Sequence, residues 1–409
     1  MNSAAPQRSP KTGPYVEHYT GATVALKGAY GLWNLGDDAL MLMCYRLLRK
    51  VFPPEAITVQ CFDAMYLEKH LPGIRTVSAT AQVVDADLLV YGGGTQFYSF
   101  PLTGTRVSVY RRQRLLRALA RPHHVLRYLL DKHAPPQTQI QRVTRHSAAV
   151  AVGIGPFMPD SIQEDKARAV LSNLEFISVR DPASLDVCTD WGREDVILGS
   201  DICFLPGLLK LTTDERLYAP VRNKAGKNIG IVFRRWPHSQ EGAAYVKPLV
   251  QAASHLRTLG YHVTWISFCK TEDAQIIGEL GEAANSILYW TPEQLDVPQF
   301  LAILARFDCF ITARYHGAVF STLLRKPCVC VEVEQKLALA SECFGMRPYL
   351  WEQPFRTNNC IAAIDAIFTN YSHCVQQIDV AATIQTELAQ NMAALFVAFL
   401  RRFLTGHRQ

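Results

Sequence analysis

The amino-acid sequence predicts an α/β protein built from two Rossmann-like, doubly wound domains that face each other across a cleft. Three observations carry that expectation. Short apolar runs alternate with helical patterns along most of the chain, as expected for parallel strands buried on both faces. The rhythm breaks once, at 206–228, where Pro206, Gly207, Pro220 and Gly226 stand among charged residues. The chain's 409 residues also exceed the roughly 250–300 that one hydrophobic core serves.

Taken in order, residues 1–20 read as a polar extension and 21–205 as the first domain. A strand is expected at 23–30, then a glycine-rich loop and a helix over 37–50. Strands follow at 56–62 and 86–91, the second ending on Gly92, Gly93 and Gly94. After a basic insertion at 103–145 come a strand at 148–154, a helix at 163–174, a strand at 176–179 and a helix at 182–189. Residues 206–228 read as a linker. The second domain, 229–375, has strands at 229–233, 262–268, 287–290 and 309–313, separated by helices ending near 259, 284 and 307. A helix at 318–325 and a strand at 328–333 follow. Within 376–409 an amphipathic helix, 378–404, is expected to pack across the domain junction; polar residues interrupt it too often for it to span a bilayer.

Composition narrows the setting. Residues 1–20 contain no apolar stretch of the kind that directs secretion. The 11 cysteines include no CxxC pair and mostly occupy apolar runs, so they read as small buried hydrophobes in a reducing compartment. A cytoplasmic protein is expected. The net charge of +6 is concentrated between Thr103 and Arg145, where ten Lys or Arg accompany the single acid Asp131. Arg111, Arg112, Arg114 and Arg117 lie on what resembles a basic amphipathic helix ended by Pro122. Three readings compete: a solvated face, a dock for an anionic membrane surface, and a nucleic-acid patch. Sparse aromatics and the lack of a binding motif disfavour nucleic acid. In the membrane reading each basic residue contributes about 1 kcal/mol, and the protein is peripheral at the inner face of the membrane.

The chemistry-bearing residues lie at strand ends. Arg314-Tyr315-His316-Gly317 joins an apolar strand to a helix, and the first turn of such a helix offers unpaired N–H groups and partial positive charge to an anion. An arginine paired with a nearby acid and a histidine capping the helix would give the same pattern. The loop from Gly28 to Leu40 places Asp37 and Asp38 at a helix start, a position acids favour for structural reasons alone. The other reading has one of them, Asp37 before Asp38, facing the cleft and accepting a proton or hydrogen bond from a hydroxyl. Neither GxGxxG nor a Walker lysine is present. Gly92-Gly93-Gly94-Thr95-Gln96, Gly153-Ile154-Gly155-Pro156, Ser178-Val179-Arg180-Asp181, Ser200-Asp201 and Phe233-Arg234-Arg235 occupy equivalent positions. For Arg180, a salt bridge to Asp181 or Asp201 competes with a functional role.

The order of these motifs, from G-x-x-G-x-x-N-x-G-D-D-A through G-G-G, G-I-G-P, S-V-R-D and Arg234 to R-Y-H-G, resembles the polysaccharide pyruvyl transferase family from about Val24 to Gly345. Asp38 stands where that family usually has Glu, and Tyr315 where Leu is usual. The resemblance implies a glycosyltransferase-B-like fold and transfer of pyruvate from phosphoenolpyruvate to two hydroxyls of a sugar, in a polysaccharide or its lipid-linked precursor. A ketal forms and phosphate leaves, with phosphoenolpyruvate as donor substrate, no cofactor and no metal. By the same resemblance Arg234, Arg314 and His316 hold the donor, and His316 delivers a proton to its methylene carbon; Lys336 matches a family lysine that binds donor or leaving phosphate, with a plain surface lysine as the competing reading. Asn34, Asp37 and Arg180 face the acceptor, Asp37 with a catalytic role. Two alternatives stand beside it: a nucleotide-sugar-dependent glycosyltransferase on the same scaffold, and a non-catalytic membrane-associated partner that keeps the fold.

Overall fold

The computed structural model describes residues 21–79, 85–99, 146–158, 161–209, 227–236, 238–239, 242–281 and 287–406. The N-terminal extension, the basic insertion with Arg111, Arg112, Arg114 and Arg117, and most of the 206–228 linker lie outside the described residues.

In the first half, β1 (Val24–Lys27) leads to α1 (Leu35–Leu48), β2 (Ile57–Cys61) to α2 (Met65–His70), and β3 (Arg75–Ser78) to β4 (Leu88–Phe97). Then come β5 (His146–Ile154), α3 (Ile162–Ser172), β6 (Phe176–Val179), α4 (Pro182–Asp190) and β7 (Ile197–Leu198). The strands form one parallel sheet in the order β3-β2-β1-β4-β5-β6-β7. The second half runs β8 (Asn228–Val232), α5 (Val246–Thr258), β9 (His262–Ser267), α6 (Lys270–Glu279), β10 (Ile287–Tyr289), α7 (Val297–Leu304), β11 (Cys309–Thr312), α8 (Tyr315–Leu323), β12 (Cys328–Cys330), α9 (Gln335–Cys343), α10 (Thr357–Thr369) and α11 (Tyr371–Gly406). Its parallel sheet has the order β10-β9-β8-β11-β12. Both are Rossmann-like. Strand order reverses between β1 and β4 and again between β8 and β11, where crevices open at the strands' carboxyl ends.

Local chemistry sets the helix starts. Asn34 caps α1 by accepting from the Gly36 N–H at 3.1 Å, and Asp181 caps α4 by accepting from the Ser184 N–H at 2.8 Å. Asp296 and Gln299 form a reciprocal capping box at α7.

α2, β3, β7 and α10 stand where no element was expected, and β4 departs in extent. β4 continues to Phe97 instead of ending at the glycine run. Gly93 and Gly94 have φ of 50° and 76°, and a Cβ on Gly92 or Gly93 would strike Leu26, Tyr30 or Leu40. The glycines let α1 lie close on the strand; they are a packing surface, not a ligand loop.

The carboxyl ends of the two sheets meet. The Leu35 N–H bonds the Phe268 carbonyl at 3.0 Å, and Trp290 Nε1 donates to Asp38 at 2.9 Å. α11 returns to the first sheet, packing Phe396 and Phe399 against Phe176 with tilted rings whose centroids lie 5.1 and 5.4 Å away. Ser200 donates to its Gln385 at 2.6 Å. Among the described residues, no helix is long and apolar enough to cross a membrane.

Candidate active site

On the first-half wall, the two acids that open α1 take different surroundings. Asp38 is buried and accepts from Tyr66 at 2.6 Å and from Trp290, so it ties the two halves together. Burial pushes its pKa up to about 7 against the pull of those two bonds. Asp37 is only partly buried, and among the described residues it has no hydrogen-bond partner. Its pKa also rises to about 7: burial dominates, His316 opposes it, Glu272 and Asp38 add to it, and Arg314 opposes it. A carboxylate poised near neutrality and open on one side is suited to taking a proton. Asn34, expected on the acceptor side, has its side-chain oxygen engaged by the helix cap.

On the facing wall, Arg314 follows β11. Its guanidinium donates to the Phe233 carbonyl at 3.2 Å, to Glu272 at 3.3 Å and to Asp273 at 2.5 Å. Burial works against this charge, but Asp273 and Glu272 raise the Arg314 pKa above the ordinary arginine value. Two carboxylates therefore already pair this guanidinium, the arrangement that stood as the alternative to anion binding.

Arg234 and Lys336 are arranged differently. Both reach one carboxylate, Glu334, at 3.1 Å each. Both also lie over the Trp236 ring, at 4.8 and 5.4 Å from its centroid. Arg234 Nε is enclosed and has no hydrogen-bond partner among the described residues. Burial lowers the Lys336 pKa, Glu334 opposes that, and Arg234 and Arg180 push further in the same direction. Lys336 sits in the first turn of α9, where the helix dipole disfavours a cation. Two cations on one acid leave a positive excess that an anion would relieve.

His316 and Arg180 join the walls. His316 Nε2 lies 3.6 Å from Asp201 Oδ2, and its ring rests on Gly36, where a Cβ would overlap Nδ1. Arg180 donates to Thr95 at 2.9 Å and to Asp181 at 3.3 Å, lies 3.8 Å from Asp201, and stacks 4.1 Å over the Tyr315 ring. Burial would lower the Arg180 pKa, yet Tyr315, Asp181 and Asp201 raise it above the ordinary value. Gly153 makes room for this guanidinium. Arg180 is thus ion-paired on its own side, as one of its two readings expects, and touches the opposite half. Asp201, Cys203 and His316 bring three ligand-type atoms within 4.8 Å of one another. The Arg180 guanidinium beside the same Asp201 oxygen makes this a poor seat for a cation.

Three residues escaped the sequence reading. Trp33 has φ of 60° and packs on Tyr66 with centroids 5.0 Å apart, bordering the loop that carries Asp37. Glu334 organises the two cations, and Trp236 floors them. The Glu334-x-Lys336 spacing was the available signal, because a carboxylate two residues from a first-turn lysine can bridge it to another cation.

Fold and site together define a two-domain α/β protein of glycosyltransferase-B architecture whose sheets meet at their carboxyl ends. A family model described as polysaccharide pyruvyl transferase matches residues 34–335, and the chain belongs to that family. Among solved structures, it is similar to the UDP-GlcNAc 2-epimerase of Neisseria meningitidis bound to UDP-GlcNAc, at 10% identity and a TM-score of 0.54, covering 93% of this chain and 100% of that one. Anabaena HepE in complex with UDP-glucose aligns at 14% identity and a TM-score of 0.52, covering 93% and 100%. At those identities the likeness concerns the fold. No curated protein matches the sequence.

Proposed function

We propose that the protein transfers pyruvate from phosphoenolpyruvate to two hydroxyls of a sugar in a polysaccharide or its lipid-linked precursor, forming a cyclic ketal and releasing phosphate. The observation that carries this reading is the pair Arg234 and Lys336, which share Glu334 above Trp236; Arg180 acts electrostatically on Lys336, as His316 does on Asp37. Phosphoenolpyruvate brings about three negative charges, and each cation at contact supplies roughly 4 kcal/mol at an effective dielectric near 20, before desolvation. An exposed helix N-terminus adds only about 0.3–1 kcal/mol, so the side-chain cations dominate donor binding. Arg314 acts from behind as a strut that holds the β11 end against α6.

In the reaction, a sugar hydroxyl gives its proton to Asp37 while its oxygen bonds to C2 of the donor. The C2–C3 π pair takes a proton from His316, giving the methyl group. The C2–O bond to the phosphate then breaks, phosphate leaves with the electron pair, and the second hydroxyl adds at C2 and gives its proton to the now neutral His316. Each proton transfer contributes about 10²–10⁴ in rate. Arg180 and Asn34 support the acceptor wall.

The test is incubation with phosphoenolpyruvate and lipid-linked oligosaccharide extracts, followed by mass spectrometry. Each acceptor should gain about 70 Da, pyruvate less water in the ketal step, with one equivalent of phosphate. The two structural relatives were solved with UDP-sugars, so the same extracts are also offered UDP-glucose and UDP-GlcNAc. Sugar transfer from those donors, with phosphoenolpyruvate untouched, would replace this reading by a glycosyltransferase.

A further inference from the structure

Asp201 is 1% exposed, directly after β7 on the first half, while the histidine it faces belongs to α8 of the second. Its two oxygens have different tasks. Oδ1 accepts the Cys203 N–H at 3.0 Å and fixes the local turn. Oδ2 has no hydrogen-bond partner among the described residues, and neither has His316 Nε2, which is also enclosed. These two unpartnered atoms point at each other across 3.6 Å. Leaving a buried donor and acceptor unpaired is costly, and a small closing movement of the two halves would satisfy both. The other ring nitrogen, Nδ1, lies at Gly36, one residue from Asp37.

We propose that Asp201 is a positioning residue: on closure of the cleft it accepts the Nε2–H of His316, fixes that tautomer, stabilises the imidazolium, and presents Nδ1 as the nitrogen that gives up the proton. This rests on the pyruvyl-transfer reading for its catalytic consequence, but the Asp201–His316 pairing is testable without any substrate. Other charged groups also act on this imidazole. Asp37 faces it from α1, Arg180 flanks Asp201 from the end of β6, and Glu272 and Arg314 act through their influence on Asp37. With both Asp37 and Asp201 ionised, the imidazolium lies between two carboxylates, and Arg180 offsets part of the Asp201 charge. Asp201 itself fits the part: burial would raise its pKa, but His316 and Arg180 hold it down to about 2, so it stays ionised near neutral pH.

The experiment follows the His316 ring by ¹H–¹⁵N NMR across pH, with the signal assigned by its loss in His316→Gln. In Asp201→Asn, whose amide oxygen still caps the Cys203 N–H, the Nε2–H tautomer should lose its dominance. In the transfer assay, kcat should drop about tenfold or more with the phosphoenolpyruvate KM little changed. If Asp201→Asn does not fold, Asp201→Glu keeps the carboxylate and should keep the Nε2–H tautomer. An unchanged tautomer in Asp201→Asn, or its loss in Asp201→Glu, overturns the proposal. So does one equivalent of zinc in the purified protein that both Asp201→Asn and Cys203→Ser release. If the tautomer changes but no pyruvate is transferred, the positioning stands and the reaction assignment falls.

Discussion

Asp37 and Asp38 are adjacent acids with pKa values both near 7, yet one is fastened by Tyr66 and Trp290 while the other is open to the cleft. The sign of the resulting pH dependence follows from the raised values. A carboxyl whose folded pKa exceeds its ordinary value binds protons more tightly when folded, so its ionisation destabilises the fold as pH climbs from the ordinary carboxylate value through about 7. Asp37→Asn should therefore gain stability relative to wild type in urea unfolding at about pH 8, and that advantage should shrink towards about pH 4. A pH-independent difference would mean that Asp37 is not held at a raised pKa. The same substitution should lower kcat by about 10²–10⁴ while phosphoenolpyruvate binding persists; loss of binding instead would move Asp37 to the donor side. These residues were partly legible in the sequence: Asp37 was separated from Asp38 by position alone. The neutralisation of Arg314 was not legible, because Glu272 and Asp273 reach it from 42 and 41 residues away and no local pattern records that pairing.

The α1 element couples helix packing to the site. Its second residue, Gly36, carries the His316 ring where a side chain would otherwise be. Gly36→Ala should gain up to about 1 kcal/mol in helix propensity, yet displace the imidazole and reduce turnover. Thermal unfolding read beside kcat separates the two effects: a variant that is at least as stable but slow supports the packing account, and one with full activity contradicts it. The alternation of strands and helices was readable because buried parallel strands leave continuous apolar runs. The glycine run in β4 was not. Glycine signals both turns and close approach, and only the arrival of α1 on the strand decides between them.

Across the whole molecule, two sheets present their carboxyl ends to one another and share the cleft through Asp38–Trp290, Arg180–Tyr315 and Asp201–His316. Trp290→Phe removes a donor to a buried carboxylate and should lower the stability of the folded chain by about 1–3 kcal/mol in denaturant titration; an unaltered midpoint would show that Asp38 finds another partner. The basic segment is proposed as a dock for anionic membranes. Replacing Arg111, Arg112, Arg114 and Arg117 by alanine should sharply reduce flotation with phosphatidylserine vesicles at low salt, since each contributes about 1 kcal/mol. Equal flotation would leave a solvated face.

Isothermal titration of phosphoenolpyruvate into wild type, Arg234→Ala and Lys336→Ala, with UDP-glucose titrated in parallel, tests the donor pocket most directly. Phosphoenolpyruvate should bind wild type and weaken about tenfold or more in each variant, as expected for loss of a charge-assisted contact, while UDP-glucose gives no heat of binding. Undiminished phosphoenolpyruvate affinity in both variants, or saturable binding of UDP-glucose alone, would contradict the account.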